Sequence, residues 1–145
     1  MTSPAELADR LGGRRALGLT STYAADWHAL VAAGVPFAAV DALKNLLKIA
    51  DAEMATLLGI SHKTLSRLRA SSQKLDTVAS DRLYRTARIV SLAIDVLEAE
   101  EPAIAWLKRP QIGLGGKRPL ALLTTDAGTT EVKRLLIRME HGVYS

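Results

Sequence analysis

Between Ser61 and Lys74 the chain carries Lys63, Arg67, Arg69 and Lys74 and not one acidic residue. Ser61, His62, Lys63, Ser66, Arg67 and Ala70 recur at the spacing of one helical face, and this face is polar and cationic. Such a face suits a duplex. An arginine fork pairs bidentately with guanine, an interaction worth about 1–3 kcal/mol of discrimination, while hydroxyls and further cations hold phosphates and set the register. On this reading Arg67 is the first base reader, with Lys63 or His62 beside it and Ser66 on the same face. Ser61, Arg69 and Lys74 are assigned to phosphates. The same residues also fit a ligand-free αα-hairpin.

The segment that carries this face reads DAEMATLLGISHKTLSRLRA over residues 51–70. Two short helices joined by a tight turn need a small residue where they touch, and Ala55 is placed there. The turn needs a residue that tolerates positive φ, and Gly59 supplies it four residues on. Met54, Leu58, Ile60, Leu65 and Leu68 supply the buried faces, and Ser61 is a good N-cap for the second helix. The pattern predicts a helix-turn-helix whose second helix enters the major groove.

Other chemistry finds no support. The chain has no cysteine, and its histidines, His28, His62 and His141, stand far apart without metal-ligand spacing. No Gly-x-Ser-x-Gly elbow is present. Gly113-Leu114-Gly115-Gly116-Lys117-Arg118-Pro119 is glycine-rich beside a lysine. A phosphate-binding P-loop would need glycine at 111 and Ser or Thr at 118, where Gln111 and Arg118 stand. This stretch is read as a structural turn or part of a partner interface. Glu98, Glu100 and Glu101 cluster at a helix end before Pro102, with no base nearby. The chain is expected to be no enzyme and to need no metal or cofactor.

The remaining elements are helical. Pro4 to Leu11 is read as a short helix broken by Gly12-Gly13-Arg14-Arg15, and residues 16–24 as a linker or arm. Trp27, Leu30 and Val31 share one face of a helix that Gly34 stops. After Pro36, Val40, Leu43, Leu46 and Leu47 line the next. Asp76 to about Glu100 is one long helix, with Leu83, Ala87, Val90, Ile94 and Leu97 at steps of four and three. Ile89, Leu92, Ala93 and Val96 widen its apolar stripe, so it must be covered on more than one side. Short helices at 103–107 and 119–123 and a last one from Asp126 to His141 complete the chain.

The 145 residues are 48% hydrophobic and 23% charged, the profile of a folded globular chain. Aromatics are only 4%, which argues against a base-stacking surface. Nineteen basic residues against fifteen acidic ones give a net charge of +4, permissive of nucleic acid but too small to argue for it. No apolar run approaches the ~20 residues that span a bilayer. Met1 to Leu11 carries Glu6 and Asp9 and lacks a signal-peptide core, so no membrane is expected and the protein is read as cytoplasmic. The expected fold class is all-α: an N-terminal arm over 1–25, a Cro/cI-like helix-turn-helix domain over 26–80, and a helical dimerisation and partner-binding domain over 81–145. Recognition helices of this kind usually work in pairs, so a homodimer is expected, and the stripe on the long helix either supplies its symmetric contact or packs only inside the monomer.

The C-terminal third reads AWLKRPQIGLGGKRPLALLTTDAGTTEVKRLLIRMEHGVYS. Its Trp106-Leu107, Pro110, Leu114-Gly115-Gly116, Pro119, Leu122-Leu123, Gly128, Val132, Leu135, Arg138 and Gly142 resemble the Xre/ParS/MbcA-type antitoxins. The resemblance covers the chain from about residue 30 onward. It implies a type II toxin–antitoxin module, in which the antitoxin covers the active site of a RES-domain, NAD-depleting toxin and represses its own operon at operator DNA. Under it, Arg134 and Arg138 on the last helix, together with Tyr144 and the Ser145 carboxylate beyond it, are expected to bind the toxin, because arginine suits an acidic or phosphate-binding cleft. The competing reading is a free-standing dimeric repressor with no toxin partner.

Overall fold

The computed structural model describes residues 3–19 and 24–142. They form ten α-helices, one 3-10 turn and no strand beyond an isolated bridge between Gln111 and Lys117. The chain divides into two compact units, Ser3–Ala87 and Arg88–Ser145. The expected all-α architecture is observed.

The first unit begins with α1 (Pro4–Arg10) and α2 (Arg14–Leu17). Ser3 and Glu6 cap α1 reciprocally, the Ser3 hydroxyl accepting from Glu6 N at 3.2 Å and the Glu6 carboxylate from Ser3 N at 3.1 Å. Residues 1–25 are expected to form an N-terminal arm. Of these, α1 and α2 pack on α4, because Leu7, Ala8, Leu11 and Leu17 recur at helical spacing and are buried. Trp27 donates its indole N–H to the Pro4 carbonyl and stacks at a tilt on Tyr84.

Next come α3 (Ala24–Ala33) and α4 (Phe37–Leu47). Gly34, at φ 106°, lies so close to the Leu75 carbonyl that a Cβ would collide with it. Only glycine therefore allows the α3–α4 corner to lie against the chain entering α7. The corner is held there by Leu75 N donating to Val35 O at 3.0 Å and Val35 N donating to the Ser80 hydroxyl at 2.8 Å.

The helix-turn-helix is α5 (Asp51–Leu58) and α6 (His62–Ala70). Ala55 is buried and Gly59 takes φ 70°, as the spacing predicts. Met54, Leu58, Leu65 and Leu68 are buried, whereas Ile60 is half-buried. Burying leucines of this kind stabilises by about 1.5–3 kcal/mol each.

The long helix α7 (Thr77–Leu97) starts where the Asp76 carboxylate accepts from Ala79 N and ends at Glu98, with φ 66°. Leu83, Ala87, Ile89, Val90, Ala93 and Ile94 are all buried within the single chain. Leu92, Val96 and Leu97, on the same stripe, are half-buried, so most but not all of the stripe expected to join two copies is covered by the chain itself.

The second unit contains α8 (Glu100–Lys108), the 3-10 turn Ile112–Leu114, α9 (Pro119–Leu122) and α10 (Asp126–Glu140). Thr125 caps α10 by accepting from Gly128 N at 2.9 Å. Val132, Leu135 and Leu136 form its buried face. Gly128 packs its backbone against the Leu122 carbonyl, leaving no room for a Cβ. No single helix among the described residues is long and apolar enough to cross a membrane.

Candidate functional site

The α6 surface follows from its cap and its core. The Ser61 hydroxyl accepts from Thr64 N at 3.0 Å, which starts the helix there. Leu65 and Leu68 point inward and fix its rotation. His62, Lys63, Ser66, Arg67 and Ala70 consequently face solvent together with Ser61. Arg67 donates one hydrogen bond to the Gln73 side chain at 3.1 Å, which holds the guanidinium out along the helix end. Lys74 is exposed in the following loop. Six of the seven residues expected to meet nucleic acid therefore share one exposed region on α6 and the loop after it.

Arg69 differs. Its fork donates to both Asp51 oxygens, at 2.7 and 2.9 Å, and to Asp41 at 2.7 Å. Its guanidinium also lies 5.3 Å from the centre of the Phe37 ring. Lys44 adds a further ion pair to Asp51 at 3.2 Å. The Arg69 guanidinium holds the Asp51 carboxyl down at about 2, below the usual carboxylate range, and the two carboxylates raise Arg69 in return. Unlike the other cations of α6, Arg69 is thus held in an ion-pair network that ties α6 to α4 and the start of α5. Linear spacing gave no sign of this, because the partners lie 18 and 28 residues upstream.

A second positioning group was also missed. Arg82 on α7 donates to the Leu58 carbonyl at 3.3 Å, and its guanidinium covers Gly59. The turn glycine is therefore needed twice, for its positive φ and for the space above it. An open groove of about 480 Å³ between α3 and α7 is lined by His28, Val31, Asp81 and Arg82 among others and contains none of the expected site residues. Among the described residues no group of His, Cys, Asp and Glu is placed to hold a metal ion.

On α10, Arg134 is exposed and pairs with Glu131 at 3.2 Å. Arg138, one turn on, is half-buried, and its Nε is buried without a hydrogen-bond partner. Tyr144 and Ser145 lie outside the described residues. The glycine-rich stretch forms a closed loop, with Gln111 N donating to Lys117 O at 3.0 Å and Gly116 N donating to Gln111 O at 2.9 Å.

Two family models match these units. Residues 26–88 fit the Xre-like antitoxin helix-turn-helix domain, and residues 92–142 the C-terminal toxin-binding domain of Xre/MbcA/ParS antitoxins. An "Antitoxin Xre" of Photorhabdus laumondii is 30% identical over 132 residues, covering 90% of this chain and 89% of the relative. This chain belongs to the Xre antitoxin family. A second "Antitoxin Xre", from Yersinia enterocolitica, is 34% identical over 107 residues, 73% of this chain and 72% of that one. The antitoxin's fold also resembles a chain of the M. tuberculosis MbcT–MbcA toxin–antitoxin complex, with TM-score 0.56 and 22% identity over 73% of this chain and 94% of that one. The antitoxin thus joins a helix-turn-helix and a toxin-binding domain in one polypeptide.

Proposed function

We propose that this antitoxin neutralises a RES-domain toxin that consumes NAD, and that it represses its own operon. The observation that carries the reading is the union, in one chain, of an acid-free polar face on α6 with a C-terminal unit of the toxin-binding type. At the operator, α6 lies in the major groove. Arg67 forks onto a guanine, Lys63, His62 and Ser66 complete the base-facing row, and Ser61 and Lys74 contact phosphates. Arg69 acts behind this row by keeping α6 at its angle to α4 and α5. The antitoxin binds as a homodimer on paired half-sites and acts in the cytoplasm, with no catalytic step of its own.

Toward the toxin, Arg134 and Arg138 at the end of α10 meet anionic groups of the NAD cleft, and the Tyr144–Ser145 tail follows them in. Arg134 is exposed on α10 and Arg138 is half-buried one turn on, and a guanidinium fork suits a carboxylate or phosphate bidentately.

The first test is gene context, where a neighbouring reading frame encoding a RES-domain protein supports the reading; the second is co-expression with such a RES-domain protein, read as growth and cellular NAD. Full-length antitoxin restores both. Deleting residues 141–145 abolishes rescue while operator binding stays intact. Failure of the full-length chain to rescue refutes the RES assignment, and full rescue by the truncated chain refutes the tail mechanism. For the operator, Arg67→Ala is expected to lose about 5- to 150-fold in affinity and to relax the sequence preference at one position, with toxin rescue unchanged. Unchanged affinity at one fixed salt concentration refutes the base contact.

A further inference from the structure

The second unit displays one large apolar side chain without any internal use for it. Ile112 is 92% exposed, the most exposed large hydrophobic residue among those described. It does not stand on a loose segment. The Gln111–Lys117 bridge closes the loop beneath it, and the Gln111 side-chain amide donates to Trp106 O at 3.0 Å. Arg118 Nε donates to Lys108 O at 2.8 Å across the base of the loop. Gly113 rests directly on the Leu135 side chain of α10, and Leu114 is buried. The loop is therefore anchored on both sides of Ile112, and its conformation holds the side chain in water. A rigid, pre-organised apolar side chain loses little entropy on docking.

The surroundings of Ile112 define the complementary surface. From residue 102 to residue 125 the chain has Lys108, Arg109, Lys117 and Arg118 and no acidic residue. Arg109 and Lys117 are exposed on either side of Ile112 in the sequence. An exposed apolar side chain on an acid-free stretch with exposed cations three residues before it and five after fits a protein pocket with an acidic rim. It does not fit a phosphate backbone, which offers no apolar cavity. Gly113 touches Leu135, the neighbour of Arg134 on α10, so the loop adjoins the helix already assigned to the toxin.

We propose that Ile112 is an apolar anchor for the toxin, filling a pocket whose carboxylate rim meets Arg109 and Lys117. This proposal rests on the RES-toxin reading above. It adds a contact that holds the toxin from outside its active-site cleft.

The experiment titrates purified full-length antitoxin against the same RES-domain protein, with operator affinity and thermal melting measured in parallel. Ile112→Asp is expected to weaken toxin binding by at least tenfold, from the lost burial and the new like charge at an acidic rim. Ile112→Leu stays within about threefold, and both variants keep the wild-type melting temperature and operator affinity. The double variant Arg109→Glu/Lys117→Glu slows association and flattens its salt dependence. Toxin binding by Ile112→Asp within twofold of wild type overturns the anchor alone. Absence of binding by the wild-type chain overturns the RES reading, and the anchor with it. If Ile112→Asp instead turns a dimer into a monomer while toxin affinity holds, the side chain joins two copies and the proposal fails.

Discussion

Replacing Arg69 with glutamine separates a residue that positions α6 from one that grips phosphate. In the folded chain the Arg69 fork makes three hydrogen bonds to two carboxylates. Charge-assisted bonds of this kind are worth about 1.5–3 kcal/mol when sheltered. Here the side chains are between a quarter and two-fifths exposed, so solvent screening brings the network down to about 1 kcal/mol. Loss of the guanidinium beside Phe37 adds about 0.5–1 kcal/mol. The expected cost is about 2 kcal/mol, a fall of roughly 4–8 °C in melting temperature for a chain of this size.

The pH dependence has a definite sign. Asp51 sits at about 2 in the folded chain against an ordinary 3.8. Its share of the stability is whole above about pH 5 and is lost as pH falls through this window, with about half remaining near pH 3. The gap between wild type and Arg69→Gln should therefore be constant from about pH 7 to pH 5 and narrow below about pH 4. The assay is thermal or urea unfolding across that range, together with operator affinity against salt. A positioning Arg69 leaves the slope of log affinity against log salt unchanged. A phosphate-gripping Arg69 lowers the slope by about 0.9 on replacement. A lowered slope with unchanged stability would refute the positioning role.

Two further substitutions test the turns that set the sites. Gly59→Ala forces a side chain into positive φ and against the Arg82 guanidinium. It should cost about 1–2 kcal/mol and weaken operator binding, and pairing it with Arg82→Ala should recover part of the loss in a double-mutant cycle by denaturation; strict additivity would argue against the contact. Gly128→Ala drives a Cβ into the Leu122 backbone carbonyl, which cannot swing away. It should destabilise the second unit by about 3 kcal/mol or more and abolish toxin binding in a pull-down, and wild-type melting would refute this packing.

Local chemistry settled much of this protein from sequence. The α5–α6 turn was legible because Gly59, Ser61, Ala55 and the leucines act within one or two helical turns of each other, where spacing along the chain is spacing in space. The outward row Ser61, His62, Lys63, Ser66 and Arg67 followed from the same period. The string from Trp106 to Gly142 carried the family, since its glycines and prolines mark backbone turns that few other residues permit.

Tertiary structure decided what depends on partners far along the chain. In sequence Arg69 is one more cation of α6; its partners Asp41 and Asp51 lie 28 and 18 residues upstream, and no period links positions so far apart. The apolar stripe of α7 was visible in sequence, but whether its own chain or a second copy covers it is a question of packing. The same holds for residues 3–17, whose sequence reads as an N-terminal arm, whereas α1 and α2 pack on α4. Sequence determines which faces must be buried or exposed, because that depends on side-chain type and helical period. Only the fold determines against what, because that depends on which distant segments the chain brings together.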